Sequence, residues 1–138
     1  MEIKLEVFQR AVKSLDELVN IDINKLKETL DEKIIDGLQN GMAQKFEICT
    51  ELCWKTIKHF MLYNQGIDVK TPKQVIKEFY LSGFVDEEKY KTLLKILDDR
   101  NKLSHIYNED NFKKIVDSFA GYIIIFYEVI NIISKENS

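Results

Sequence analysis

The sequence predicts an all-α fold: an antiparallel four-helix up-and-down bundle with one additional short helix, built as a single domain over residues 1–138. Three observations carry this. The chain holds one proline and five glycines, whereas a β-sandwich turns roughly every 8–12 residues and spends more of both. Apolar residues recur at three- and four-residue steps along four long stretches, the period of a helix with one apolar face. Hydrophobic residues make up 45% and charged residues 31% of the chain, the balance of a globular domain and not of a disordered one. A domain of this length buries about two-thirds of its unfolded surface, so it needs no disulfide or metal staple.

The first helix is predicted from about Ile3 to Val19, on the stripe Leu5, Phe8, Val12, Leu15 and Val19. Residues 20–35 are dominated by charge; Leu26, Leu30 and Ile34 suggest a short helix or an ordered connector. The second long helix is predicted to start near Gly37–Gly41 and to run to about Asn64 on Met42, Phe46, Cys49, Cys53, Ile57 and Phe60. Gly66 is a natural stop, since glycine enters the left-handed cap conformation without steric cost. Thr71-Pro72-Lys73-Gln74 reads as a helix start, with a capping threonine, proline at the first position and glutamine where a capping box wants it. That short third helix ends near Gly83. Asp86-Glu87-Glu88 opens a fourth helix with negative charge at the positive end of its dipole. Tyr90, Leu93, Leu94, Leu97 and Asn101 continue its face. The fifth is predicted from about Asp110 to Ser134. Ile124, Ile125 and Val129 make its middle apolar nearly all round, so a second surface must be covered, either within the bundle or between subunits.

Net charge is −3 and the sequence pI is near 5.5. Non-specific coating of nucleic acid runs on many Lys and Arg contacts, so this balance argues against it while leaving room for a local phosphate site. Cys49 and Cys53 are too few for a disulfide framework, and a reducing, cytoplasmic location is expected. The start Met1-Glu2-Ile3-Lys4 lacks an apolar signal core. The apolar run Phe119–Ile133 is interrupted by Glu128 and Asn131 and falls short of the roughly 20 residues a span requires, so no membrane is expected.

Chemistry concentrates at Asp98-Asp99-Arg100-Asn101-Lys102-Leu103-Ser104-His105-Ile106-Tyr107. Arg and His five apart sit about 140° apart on a straight helix, so they converge only if the helix ends near Leu103 or a second chain supplies one of them. A guanidinium grips phosphate oxygens bidentately. A histidine of ordinary pKa can take a proton from a ribose 2′-hydroxyl. The plainer reading pairs Arg100 with an aspartate and makes His105 a cationic helix cap. Glu47, Glu51, Lys55 and Lys58 form a polar stripe, either solvated through i,i+4 ion pairs or bringing Glu47 or Glu51 beside Arg100. Lys102, Lys113 and Lys114 form either a small positive rim for RNA or an ordinary surface. Cys49 and Cys53 share a helical face, but zinc would need two further ligands, and buried thiols are the expected reading; no metal and no cofactor is predicted. Trp54, Tyr122 and Tyr127 are expected to be packing residues.

Arg100 to Tyr107 fits the pattern R-x-x-x-x-H-x-Y, which resembles the signature of HEPN-domain proteins of the HepT type. Upstream, Asn40-Gly41-Met42-Ala43-Gln44-Lys45-Phe46-Glu47, followed by Glu51, Trp54, Lys55 and Lys58, resembles the long second helix of the nucleotidyltransferase substrate-binding protein family. The resemblance implies a helical bundle, a homodimer and a separate partner protein, a minimal nucleotidyltransferase. This chain has no G-S followed by paired aspartates, the usual nucleotidyltransferase signature, so it is not expected to transfer nucleotides itself. In HepT-like toxins the motif belongs to a metal-independent ribonuclease, which the partner silences by attaching AMP to the tyrosine. By that carry-over Arg100 binds phosphate, His105 is base or acid, Asn101 orients the site, and Tyr107 accepts AMP, with Glu47, Glu51 and Asp99 in support. AMP on Tyr107 would set a bulky anion two residues from His105. The family's name implies the alternative, a non-catalytic subunit that presents substrate.

Overall fold

The computed structural model describes residues 2–21, 23–105 and 108–137. Its elements are α1 (Glu2–Val19), a single turn α2 (Ile23–Leu26), α3 (Glu32–Gln65), α4 (Pro72–Leu81), α5 (Glu87–Leu103) and α6 (Glu109–Glu136). Among the described residues there is no strand.

Each boundary has a local cause. Gly66 ends α3 at φ 68°, a left-handed turn that lets the Ile67 N–H reach the Met61 carbonyl. Thr71 Oγ1 accepts the Gln74 N–H at 3.4 Å at the head of α4. Asp86 Oδ1 accepts the Lys89 N–H at 2.9 Å at the head of α5. Asn108 Oδ1 takes two N–H groups, of Asp110 at 2.8 Å and Asn111 at 3.3 Å, at the head of α6.

The start of α3 differs from the sequence expectation. The helix begins at Glu32 and passes straight through Gly37 and Gly41. Asp31 is its N-cap, with its carboxylate accepting the Lys33 N–H at 3.1 Å. Ile35 is buried, so this first turn is anchored and outweighs the roughly 1 kcal/mol that each interior glycine costs. The short helix expected through Leu26, Leu30 and Ile34 shrinks to α2, and Ile34 belongs to α3.

The four long helices run up, down, up and down. Lys45 Nζ bonds Ser14 Oγ at 2.6 Å and Gly41 faces Leu18, so α1 and α3 are antiparallel. Lys89 pairs with Glu128 while Asp99 meets Tyr122, so α5 and α6 are antiparallel too. The stretch 66–71 doubles back, so α4 starts beside Trp54 and ends with Phe79 against Phe60, running the same way as α3.

The core is aromatic. Phe46 of α3 stacks on Phe119 of α6 at 4.5 Å, and Phe8 of α1 meets Phe126 edge-on at 5.8 Å. Helix α3 touches α1, α4, α5 and α6 and is the central helix of the bundle, while α6 packs against α1, α3 and α5. Val129 is buried, but Ile124 stays 60% exposed, so the bundle covers only part of the second apolar surface. By length and composition α6 would suffice to cross a bilayer. Here its stripe of Phe119, Phe126 and Ile133 is fully buried core.

Candidate functional site at the corner of α5 and α6

Helix α5 ends where convergence of Arg100 and His105 required. Ser104 is its C-cap, and the His105 N–H bonds the Lys102 carbonyl at 2.9 Å. The ending does not bring the two side chains into one depression. Arg100 lines a depression of about 300 Å³ with Glu51, Trp54, Thr71, Pro72 and Lys73. His105 lines another of about 590 Å³ with Lys95, Lys102, Asn111 and Lys114. Asn101 lines both, on the ridge between them.

The partner of Arg100 is a glutamate of α3, not the aspartate of the plainer reading. Arg100 Nε lies 3.2 Å from Glu51 Oε1, with the guanidinium side chain 31% exposed. The Nε–H is shielded from solvent and not aligned for a hydrogen bond, so the contact is ionic. The other oxygen of Glu51 accepts the Trp54 Nε1–H at 3.3 Å and lies 3.8 Å from Lys55 Nζ. Glu51 is thereby held from its own helix while it faces Arg100, and Glu47 takes no part in that contact. The neighbouring Asp98 pairs with Lys73 at 3.4 Å, which ties the head of α4 to α5.

Asp99 faces the other way. It is 5% exposed, lines the His105 depression and accepts a hydrogen bond from the Tyr122 hydroxyl. Burial first, then the Asp99 bond, pushes the Tyr122 hydroxyl well above its usual pKa. Tyr122 is thus more than packing: it satisfies a carboxylate that would otherwise be buried alone. Tyr127 likewise donates to Asp16 at 3.0 Å. The His105 ring is exposed and makes no capping bond among the described residues, so Ser104 closes the helix instead. Tyr107 lies outside the described residues.

The lysine rim is rearranged. Lys102 and Lys114 line the His105 depression, and Lys95, which is not among the lysines expected there, joins them. Lys113 opens onto other depressions beside Asp36 and Gln39. The signal for Lys95 is its place seven residues before Lys102, two turns back on nearly the same face. Cys49 and Cys53 are free and buried. Burial pushes the Cys49 thiol up to about 12, against the pull of Lys45, and raises Cys53 as well. Among the described residues no group of three or more His, Cys, Asp or Glu could hold a metal ion.

The family described as nucleotidyltransferase substrate binding protein like matches residues 3–135. The chain belongs to that family. Three solved structures share the fold of this nucleotidyltransferase substrate-binding-like chain. A Thermus thermophilus protein matches at 22% identity and TM-score 0.79, covering 91% of this chain and 98% of its own. A Haemophilus influenzae protein, whose structure gave the fold of a substrate binding domain of a nucleotidyltransferase, matches at 23% identity and TM-score 0.79, covering 94% and 98%. A tri-AMPylated Shewanella oneidensis HEPN toxin, solved in complex with its MNT antitoxin, matches at 19% identity and TM-score 0.75, covering 96% and 94%. No curated protein matches the chain significantly.

Proposed function

We propose that this family member is the HEPN-fold subunit of a cytoplasmic toxin–antitoxin-like pair, docking a separate minimal nucleotidyltransferase. We further propose that it is a metal-independent ribonuclease, silenced by AMP transfer to Tyr107. The observation that carries the reading is the ridge at Asn101: a guanidinium opens on one side of a single helix end and an exposed imidazole on the other. The Shewanella oneidensis toxin, of the same fold, is AMPylated and bound to its antitoxin, which supports the partner and the modification.

Neither depression of one protomer holds both groups, so the reading requires a homodimer whose corners meet, setting Arg100 of one copy across from His105 of the other. Neutral His105 then takes the proton of a ribose 2′-hydroxyl, and the freed oxygen attacks the adjacent phosphorus. The bond to the 5′-oxygen breaks, leaving a cyclic phosphate, and imidazolium returns its proton to the leaving oxygen. Proton transfer of this kind contributes about 10²–10⁴ in rate. Arg100 balances the charge that grows on the non-bridging oxygens. Asn101, on the ridge, orients the phosphate between them.

The test is incubation of purified protein with RNA in chelator, beside His105→Ala. Cleavage by the wild type that disappears in the variant is expected; intact RNA with both proteins would overturn the ribonuclease reading. Co-expression with an active nucleotidyltransferase, followed by mass spectrometry, is expected to find AMP on Tyr107, and an unmodified tyrosine would overturn that part. The second reading, a non-catalytic subunit that presents substrate to the nucleotidyltransferase, draws on Glu51, which already neutralises Arg100. Intact RNA together with stable nucleotidyltransferase binding would favour it.

A further inference from the structure

The cations along α5 divide into two kinds. Lys89 pairs with Glu128 at 3.4 Å, and Lys91 with Glu87 at 3.3 Å. Lys95 and Lys102, further along the same helix, and Lys114 across the corner on α6 make no ion pair among the described residues. All three line the His105 depression. Lys95 and Lys102 are seven residues apart, so they sit within about 20° of one stripe and about 10 Å apart along the helix axis. Lys114 stands on the opposite wall. Among the described residues the only carboxylate in the lining, Asp99, is buried and engaged by the Tyr122 hydroxyl. Asn101, Asn111 and Ser118 complete the lining with amide and hydroxyl groups suited to sugar and phosphate oxygens.

In a chain of net charge −3, three lysines without an ion pair among the described residues gather around one opening and favour anions there. The depression, about 590 Å³, falls in the size range of ligand sites.

We propose that this depression is a binding track for the sugar–phosphate backbone of single-stranded RNA, with Lys95, Lys102 and Lys114 each neutralising a phosphate beside His105. It deepens the ribonuclease reading and rests on it for the identity of the polymer. Lys95 and Lys114 are positioning residues; they hold the strand and do not touch the reacting bond.

The experiment measures binding, not cleavage. Full-length His105→Ala protein is titrated with a 5′-fluorescein oligouridine of about a dozen nucleotides by anisotropy, over a series of salt concentrations. The logarithm of affinity is expected to fall linearly with the logarithm of salt, and each of Lys95→Gln, Lys102→Gln and Lys114→Gln is expected to reduce that slope by about 0.7. Together the three should remove about 2 from the slope. Lys113→Gln and Lys89→Gln should leave it unchanged. Lys95, Lys102, Lys113 and Lys114 are exposed, and glutamine keeps their helix propensity, so folding is preserved in those variants. No oligouridine binding, or a slope indifferent to all three lysines, overturns the track. Lysine-dependent binding without cleavage by the wild type sustains the track and removes the ribonuclease reading. Cleavage without lysine dependence does the reverse. Lysine dependence found only for docking of an acidic partner protein also overturns the track.

Discussion

Arg100 Nε and Glu51 Oε1 stand 3.2 Å apart, joining the last turns of α5 to the middle of α3. Both side chains remain partly solvated, 31% and 38% exposed, so the pair adds at most about 1 kcal/mol to stability. Its consequence is positional. Glu51→Gln should leave the thermal midpoint nearly unchanged and lower single-turnover RNA cleavage by about tenfold to a hundredfold, the cost of a small misplacement. Equal cleavage rates would detach Glu51 from the site.

Removing the Tyr122 hydroxyl leaves Asp99 buried without its donor. Tyr122→Phe should therefore cost about 1–3 kcal/mol in urea denaturation. Asp99→Asn should recover part of this in the double variant, because an uncharged amide tolerates the site better. Strict additivity of the two substitutions would contradict the bond.

The buried thiols and the Tyr122 hydroxyl hold their protons more tightly in the folded chain than in the unfolded one. Unfolded cysteine and tyrosine release them near about 8.5 and 10. Their stabilising effect is complete below about pH 8.5 and falls as pH rises towards the folded values, about 12 for Cys49. Each group that titrates only in the unfolded chain contributes a slope of about −1.4 kcal/mol per pH unit. Urea midpoints measured from neutral to alkaline pH should fall accordingly, and thiol labelling at pH 8 should be slow until denaturant is added.

Two glycines predict opposite outcomes. Gly37 is interior to α3, and a Cβ there meets nothing within 4 Å, so Gly37→Ala should stabilise by up to about 1 kcal/mol. Gly66 sits at φ 68°, where an L side chain is strained, so Gly66→Ala should destabilise by about 1–2 kcal/mol. Calorimetry that gives both the same sign would contradict the assigned end of α3.

Long apolar stripes were the most legible part of the sequence. Leu5–Leu15 of α1 and Phe112–Ile133 of α6 repeat at the helical period and form core as read. Thr71 and Asp86 announced their helices because capping chemistry is local. Asp31-Glu32 carried the same signal, but the polar stretch behind it and two glycines masked it. At the site, the end of α5 near Leu103 was legible and the direction of each side chain was not. Whether Glu47 or Glu51 reaches Arg100 depends on how α3 and α5 are rotated against each other, and no spacing along one chain encodes that. The unpaired state of Lys95 is likewise a tertiary fact, since it follows from where the carboxylates of other helices fall.

The bond from Tyr122 to Asp99 rivets the last turns of α5 onto α6, one residue before Arg100. Moving that turn of α5 away from α6 would strip a buried carboxylate of its donor, at a cost of about 1–3 kcal/mol, so the backbone that carries Arg100 is moored from one residue away.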